Sequence, residues 1–164
     1  MNIKENSKIL KLSYVLKNYE DEIKEANQMK KDYGMFLDEL LEKEINQRKE
    51  NGIKKRLRYA KFPVKKYLED FDRKLYNPEF IKEFEELDTL NFIEKKENII
   101  LVGTPGAGKT HYAIGLGIKA CMEGKSVLFI SVPNLIIELK EAMSRSQLTA
   151  YIIIFKIRSL RKLI

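Results

Sequence analysis

Apolar residues recur at steps of three and four along the first third of the chain, with lysines and glutamates between them. This spacing places the apolar side chains on one helix face and predicts two helical segments. The first covers residues 3–30. The second begins after Asp32, whose side chain suits an N-cap, and Pro63 ends it. The dipeptide Asn51-Gly52 leaves open whether this second segment is one long helix or two.

A connector separates these helices from the next one. Residues 67–77 have no clear period, which predicts irregular structure. Asn77 then caps a third helix that starts at Pro78, because proline is favoured at the first helical position. A polar turn, Lys95–Asn98, ends this part of the chain.

Two short aliphatic runs mark the next part, and each precedes a helical pattern. The runs are Ile99–Val102 and Ser126–Ser131, and both are typical of strands buried on both faces. Helical patterns follow over residues 111–122 and 134–143. This β-α-β-α order predicts a parallel sheet covered by helices.

The segment that joins the first predicted strand to its helix has the spacing G-x-x-x-x-G-K-[ST], which is typical of a phosphate-binding P-loop. Its glycines let the main chain approach a bulky anion, and the following helix N-terminus adds partial positive charge. We expect Lys109 to contact the β- and γ-phosphates of ATP, and the Thr110 hydroxyl to bind Mg²⁺. An ordinary glycine-rich turn is the alternative, which the position between strand and helix disfavours. The predicted nucleotide-binding residues are Gly103, Thr104, Pro105, Gly106, Ala107, Gly108, Lys109 and Thr110.

Basic residues concentrate in one block, residues 48–66, in which Glu50 is the only acid. Such a run is usually a solvated helix face, yet like charges at this density repel, and a row of phosphates would neutralise them with release of counterions. Tyr59 and Phe62 between the charges suit a nucleic-acid surface, so both interpretations stay open. No zinc-finger or homeodomain pattern is present, and contacts to DNA would be to its backbone. The candidate DNA-binding residues are Arg48, Lys49, Lys54, Lys55, Arg56, Arg58, Lys61, Lys65 and Lys66.

The composition of the 164-residue chain, 44% apolar and 34% charged, is that of a soluble globular protein. No run approaches the roughly 18 apolar residues of a membrane span, and the N-terminus has no apolar signal core. We therefore expect a cytoplasmic protein without membrane contact. Cys121, the only cysteine, lies on an apolar helical face, so we predict that it is a core residue. His111, the only histidine, predicts packing rather than catalysis.

The end of the chain lacks the acids that a complete P-loop ATPase requires. Such an enzyme holds Mg²⁺ with a carboxylate at the end of a second strand, but no Asp or Glu follows Glu141. After the apolar run 152–155, basic residues stand where those acids would be required. These residues are Lys156, Arg158, Arg161 and Lys162. We expect no catalytic residue in this chain and weak hydrolysis of ATP.

Several segments, taken in order, resemble the IstB-type ATP-binding proteins, which are helpers of a DNA transposase and relatives of the DnaC-type helicase loaders. The resemblance covers residues 8–151. It implies an AAA+ ATPase core behind a helical N-terminal region, with ATP and Mg²⁺ as cofactors. It also implies a homo-oligomer that assembles on DNA and recruits the transposase. The segments that carry it are residues 36–44, 56–63, 68–72, 97–111 and 135–143, with Ala120-Cys121 and Gly124.

We therefore predict an α/β fold, with a partial P-loop NTPase sheet of the AAA+ type preceded by an all-helical N-terminal region. Members of the family continue with an acidic Walker B strand, a sensor and an arginine finger, so we expect a truncated or frameshifted copy. Its two strands would lack the neighbours that lie between them in the AAA+ order, which predicts weak stability or aggregation. The predicted segments are a helical DNA- or partner-binding region (1–66), a connector and helix (67–98), half of the ATPase core (99–151) and an atypical tail (152–164).

Three functions are compatible with these features. The first is an ATP-binding helper of DNA transposition with impaired hydrolysis. The second is a helicase loader of the DnaC kind, which the P-loop cannot distinguish from the first. The third is a non-catalytic DNA-binding remnant in which the basic block still contacts phosphates.

Overall fold

The computed structural model describes residues 2–152, and these residues are mostly helical. The chain forms two compact units, Met1–Lys54 and Lys55–Ile164. Seven α-helices and one 3₁₀ turn, Arg73–Leu75, are defined within the described residues. The helices are α1 (Ile3–Ile9), α2 (Ser13–Met29), α3 (Tyr33–Ala60), α4 (Pro78–Asp88), α5 (Asn91–Lys95), α6 (Lys109–Met122) and α7 (Val132–Ser144). Residues 148–152 are also helical.

The predicted single helix over residues 3–30 is wrong, because the chain breaks between α1 and α2. Lys11 has a φ of +55°, which a continuing α-helix does not allow. The break has a tertiary cause on α3. The carboxylate of Glu44 accepts the backbone N–H groups of Ser13, Tyr14 and Val15 at 3.0, 2.7 and 3.2 Å. These N–H groups belong to the first turn of α2 and have no partner within their own helix.

Helix α3 is continuous through Asn51-Gly52, which resolves the alternative that the sequence left open. It starts as predicted, since Oδ1 of Asp32 accepts the backbone N–H of Met35 at 2.9 Å. A glycine in a helix interior costs about 1 kcal/mol, which a helix of this length tolerates. The helix ends at Ala60, and Lys61 follows with a φ of +56°.

The hydrophobic core of the second unit is built around α6. Tyr112, Leu116, Ala120 and Cys121 on one helix pack with residues from the connector and from α5. The core prediction for Cys121 is confirmed, and burial raises the pKa of its thiol. The remaining buried members of the core are Ala60, Leu68, Phe71, Leu90, Phe92, Ile93 and Val127.

The helices predicted from the second half of the sequence are present with small shifts of their ends. Asn77 caps α4 as predicted, because its side chain accepts the backbone N–H of Phe80 at 3.0 Å and Pro78 is the first helical residue. Helices α6 and α7 begin two residues before the predicted positions 111 and 134. Residues 67–77 form the predicted connector, apart from the 3₁₀ turn.

The predicted parallel sheet does not form within residues 2–152. Ile99–Val102 makes no strand ladder, and Ile100 and Val102 are 85% and 89% exposed rather than buried on both faces. In the second run Leu128 makes one isolated bridge, and Phe129 donates its N–H to the carbonyl oxygen of Ala60 at 2.8 Å. A strand exists only where a neighbouring backbone accepts and donates its hydrogen bonds. None of the described segments lies beside Ile99–Val102 in this way.

Residues 2–152 contain no helix of the length and apolar character needed to cross a membrane. Most of the predicted atypical tail, residues 153–164, lies outside the described residues. The basic residues of that tail, and most of the apolar run 152–155, therefore lie outside them as well.

Candidate nucleotide-binding site

The predicted P-loop is a tight turn that leads directly into α6. Gly106 and Gly108 have φ values of +83° and +76°, which residues with a Cβ atom rarely adopt. Gly108 is the N-cap residue, and Lys109 is the first residue of the helix. The first N–H groups of a helix have no intrahelical partner and carry partial positive charge. The loop therefore ends where backbone donors for an anion are available.

The side chain of Lys109 is folded onto the loop itself. Its Nζ atom donates to the carbonyl oxygens of Gly103 and Thr104 at 2.8 and 2.7 Å. The ammonium group thus lies among the residues of the loop rather than in free solvent. Thr110, the predicted Mg²⁺ ligand, is exposed in the first turn of α6.

An aromatic cluster lies under the loop. The ring of Phe71 is 5.1 Å from that of Tyr112, 5.4 Å from Phe84 and 5.6 Å from His111, measured between centroids. Tyr76 packs edge-on against Phe84 at 5.0 Å, with 89° between the ring planes. We name the five residues Phe71, Tyr76, Phe84, His111 and Tyr112 the aromatic platform.

The aromatic platform contacts the loop at two points. A Cβ atom on Gly108 would be only 2.7 Å from Cε2 of Phe71, so this ring lies directly against the last loop residue. The hydroxyl of Tyr76 donates a hydrogen bond to the carbonyl oxygen of Ala107. Neither contact could be predicted from the sequence of the connector, which has no clear period. Only the resemblance of residues 68–72 to the family drew attention to the connector.

His111 has the packing role predicted from the sequence. Its Nε2 atom lies 2.9 Å from the carbonyl oxygen of Tyr67, and its ring meets the edge of Phe71. The imidazole therefore joins the connector to the first turn of α6.

A buried polar group fastens α6 to α4. The hydroxyl of Tyr112 lies 2.8 Å from Oδ1 of Asp88 and 3.0 Å from the carbonyl oxygen of Phe84. Arg73 forms an ion pair with the other carboxylate oxygen of Asp88. Burial, together with the Asp88 carboxylate, raises the pKa of Tyr112 far above its usual value.

A cavity of about 580 Å³ borders the loop, a size within the usual range for small-molecule sites. Gly103, Thr104, Ala107 and Lys109 line one side of it, and residues 98–102 continue that side. A second cavity, of about 880 Å³, borders the connector and the C-terminal half of α6 but none of Gly103–Thr110. The smaller cavity is therefore the one that belongs to the P-loop.

The residues of the loop fit a phosphate group. Anions require hydrogen-bond donors, and the loop offers backbone N–H groups at the helix N-terminus and a lysine ammonium. The positive φ angles of Gly106 and Gly108 give the loop its tight turn. No group of three or more His, Cys, Asp or Glu side chains within residues 2–152 is arranged to hold a metal ion. A Mg²⁺ ion at this site would depend on Thr110, the phosphates and water.

Two of the nine candidate DNA-binding residues are engaged in internal contacts. The guanidinium of Arg48 donates to Oε1 of Glu44 at 3.0 Å and to the carbonyl oxygens of Leu10 and Lys11 at 3.3 and 2.9 Å. Arg56 donates from Nε to the carbonyl oxygen of Cys121 at 2.7 Å. Both side chains thus contact backbone carbonyls of their own unit, and the Arg48 side chain is still 52% exposed.

The other seven candidates are exposed. Arg58 and Lys55 lie over the ring of Tyr59, at 5.4 and 6.0 Å from its centroid. Lys54 is 3.5 Å from Glu50, and Lys61 is 3.9 Å from Glu138, both as surface ion pairs. Lys49, Lys65 and Lys66 complete the exposed set. Lys49 and Lys54 belong to the first unit and the other five to the second.

A glycine loop of this conformation, closed by Lys109-Thr110 at a helix N-terminus, is that of a P-loop nucleotide-binding protein. The family model described as IstB-like ATP binding protein matches residues 5–160. The chain belongs to this family. The matched range takes in part of the segment after Tyr151 that the sequence-based prediction set apart as a tail.

Named relatives agree with the family match. The chain is 38% identical over 139 residues to a protein of Pseudomonas aeruginosa named as an ATP-binding protein of insertion sequence IS21. This alignment covers 85% of the chain and 52% of the relative. A protein of Geobacillus stearothermophilus named for insertion sequence IS5376 is 35% identical over 123 residues, which are 75% of the chain and 49% of that relative. The chain thus spans about half the length of these curated relatives.

Proposed function

We propose that this chain binds ATP with Mg²⁺ through Gly103–Thr110 and serves as an ATP-binding helper of DNA transposition. It acts in the cytoplasm on DNA, as a homo-oligomer and together with the transposase of its own insertion sequence. The observation that carries the proposal is the loop itself, with two glycines at positive φ and the Lys109 ammonium beside the helix N-terminus. The insertion-sequence names of the relatives support the biological setting.

Different groups of the loop contact the phosphates of ATP and the Mg²⁺ ion. The backbone N–H groups from Gly106 to Thr110 surround the phosphates, and the helix dipole favours their negative charge. Lys109 exchanges its two carbonyl partners, Gly103 and Thr104, for phosphate oxygens. Because the phosphate oxygens carry negative charge and the carbonyl oxygens do not, the exchange adds coulombic attraction to the ammonium group and favours the bound state. Thr110 supplies a hydroxyl to Mg²⁺, and the metal ion neutralises phosphate charge.

Binding, rather than rapid hydrolysis, is the activity we assign to this chain. Hydrolysis needs a carboxylate that holds Mg²⁺ and a group that orients the attacking water. Within residues 2–152, no cluster of His, Cys, Asp or Glu side chains is arranged to hold the metal ion. We expect turnover by this chain to be weak even when ATP is bound.

Measurement of ATP affinity by calorimetry, with and without Mg²⁺, tests the proposal. Lys109→Ala should weaken ATP binding about 10- to 100-fold, because it removes a charged donor to the phosphates. Lys119→Ala is the matched control, since it removes a lysine from the same helix outside the loop. Equal ATP affinity of the wild type and Lys109→Ala would contradict the assignment of the site.

A second function, DNA binding through the basic block, is supported by the exposed side chains of Lys55, Arg58, Lys65 and Lys66. Tyr59 between them is 60% exposed, and Lys55 and Arg58 lie over its ring. Fluorescence anisotropy with a labelled DNA duplex, at increasing salt, measures this binding. A lack of DNA binding at low salt would remove this function and would leave ATP binding untouched.

A further inference from the structure

We propose that Tyr76 is a positioning residue of the nucleotide site: its hydroxyl, bound to the carbonyl oxygen of Ala107, orients the Ala107–Gly108 peptide group for phosphate binding. The inference rests on the proposed ATP site, but the contact itself is made by two residues of this chain. The hydroxyl is the donor and the Ala107 carbonyl is the acceptor. Tyr76 precedes Ala107 by 31 residues, so this contact depends on the fold.

The geometry of the peptide bond connects this contact to the site. A trans peptide is planar, and its C=O and N–H bonds point in opposite directions. The chain has no cis peptide bond among its described residues. When Tyr76 holds the carbonyl of Ala107 on the platform side, the N–H of Gly108 must therefore point away from the platform. That N–H is one of the loop donors to which the proposal assigns a phosphate.

The ring of Tyr76 is held firmly enough to act as a positioning group. It packs edge-on against Phe84 and at 5.5 Å from the ring of Phe71. Its backbone N–H donates to the carbonyl oxygen of Arg73 at 3.1 Å and closes the 3₁₀ turn. A residue fixed by two rings and a backbone bond loses little further entropy when its hydroxyl binds the loop.

The same turn is also tied to the helix that follows the loop. Arg73, at the start of the turn, pairs with Asp88, and Asp88 in turn contacts the hydroxyl of Tyr112 on α6. The connector therefore contacts the P-loop directly, through Tyr76 and Ala107. It also contacts the helix that follows the loop, through the ion pair of Arg73 with Asp88. This arrangement fixes the loop relative to its helix.

Tyr76→Phe isolates the hydroxyl, because the substitution keeps the ring and its packing. Amide hydrogen exchange by NMR on the full chain should show faster exchange in the loop at Ala107, whose N–H donates to the carbonyl oxygen of Thr104 at 3.3 Å, with α4 and α6 unchanged. Affinity for ATP and for ADP should each fall about threefold to tenfold, the effect of one hydrogen bond. Tyr33→Phe is the control, since the Tyr33 side chain is 94% exposed.

The outcomes separate this inference from the proposed function. Unchanged loop exchange and unchanged nucleotide affinity in Tyr76→Phe would overturn the inference. So would a uniform rise in exchange across α4 and α6 with unchanged affinity, because the hydroxyl would then only stabilise the fold. If the wild type itself fails to bind ATP, the proposed function is wrong, while faster exchange confined to the loop still supports Tyr76 as the residue that orients it.

Discussion

Phe71 lies so close to Gly108 that a Cβ atom on the glycine would be 2.7 Å from Cε2 of the ring. Gly108→Ala must therefore displace the ring as well as strain a backbone with a φ of +76°. The left-handed conformation costs a residue with a Cβ about 1–2 kcal/mol, and overpacking adds about 1–3 kcal/mol. We expect a loss of about 2–5 kcal/mol in the free energy of unfolding, measured by urea titration with circular dichroism.

Gly106→Ala is the matched control for this substitution. Its φ of +83° is as unfavourable, but nothing lies within 4 Å of the Cβ position. The expected loss in the free energy of unfolding comes from backbone strain alone and is about 1–2 kcal/mol. Equal losses at the two glycines would show that the contact with Phe71 contributes nothing to stability.

Glu44 is expected to stabilise the first unit in its charged form. Burial opposes ionisation, but the hydrogen bonds from Arg48 and from the N–H groups of Val15, Tyr14 and Ser13 outweigh burial and lower the pKa of Glu44. Glu44→Gln keeps an acceptor and removes the charge, so we expect a loss of about 1–3 kcal/mol in stability at pH 7. Glu42→Gln, an exposed residue of the same helix, should change stability by less than about 0.5 kcal/mol.

The same glutamate predicts a pH dependence of stability. Because the pKa of Glu44 is lower in the folded than in the unfolded chain, its stabilisation is fully present above the unfolded value, about 4.3. It is lost as the pH falls through the folded value. Thermal unfolding of the wild type and Glu44→Gln should therefore differ at pH 7, and the difference should shrink as the pH falls below about 4.3. A difference in melting temperature that stays unchanged as the pH falls through the acidic range would contradict this role.

Tyr112 predicts a second pH effect, with the opposite sign. Its pKa is raised by burial and by Asp88, so the folded chain keeps the phenol proton after the unfolded chain has lost it. Stability should therefore fall as the pH rises above about 10, the unfolded value. Tyr112→Phe should remove this part of the alkaline loss and cost about 1–2 kcal/mol at pH 7. If the variant loses stability above pH 10 as steeply as the wild type, Tyr112 does not contribute to the loss.

The exposed part of the basic block predicts the salt dependence of DNA binding. Lys65→Gln with Lys66→Gln should reduce the slope of log affinity against log salt by about 2, if each lysine neutralises one phosphate. Lys82→Gln with Lys140→Gln removes two exposed lysines outside the block and should leave the slope unchanged. An unchanged slope in the first double variant would exclude Lys65 and Lys66 from the DNA contact.

Arg48→Gln should instead lower the stability of the first unit, since its guanidinium holds Glu44 and two backbone carbonyls.

Local signals in the sequence predicted much of this protein correctly. The glycine turn of the P-loop, the caps at Asp32 and Asn77 and the helix predicted over residues 111–122, which the structure has over 109–122, all follow from backbone preferences within a few residues. Such preferences act over one turn of chain, so they are visible in the sequence alone. The family match over residues 5–160 confirms the resemblance that those motifs carried.

The wrong predictions concern features that depend on distant residues. The aliphatic run Ile99–Val102 has the composition of a strand, but a strand needs a partner, and within residues 2–152 none lies beside it. The break between α1 and α2 depends on Glu44, which is about thirty residues away along the chain. The internal contacts of Arg48 with Leu10 and of Arg56 with Cys121 also join residues that are distant in sequence, and the DNA-binding role of both arginines stays a prediction.

The sequence by itself determined the P-loop, because glycine, lysine and threonine at fixed spacing dictate the conformation and charge of the loop. The order of several further segments, which the family match over residues 5–160 confirms, determined that the chain is IstB-like. Only the tertiary structure decided what supports that loop. Phe71 and Tyr76 reach Gly108 and Ala107 across more than thirty residues, and no periodicity encodes such a contact. The physical reason is range: backbone propensity acts between neighbours, whereas packing and buried hydrogen bonds form between any residues that the fold brings together.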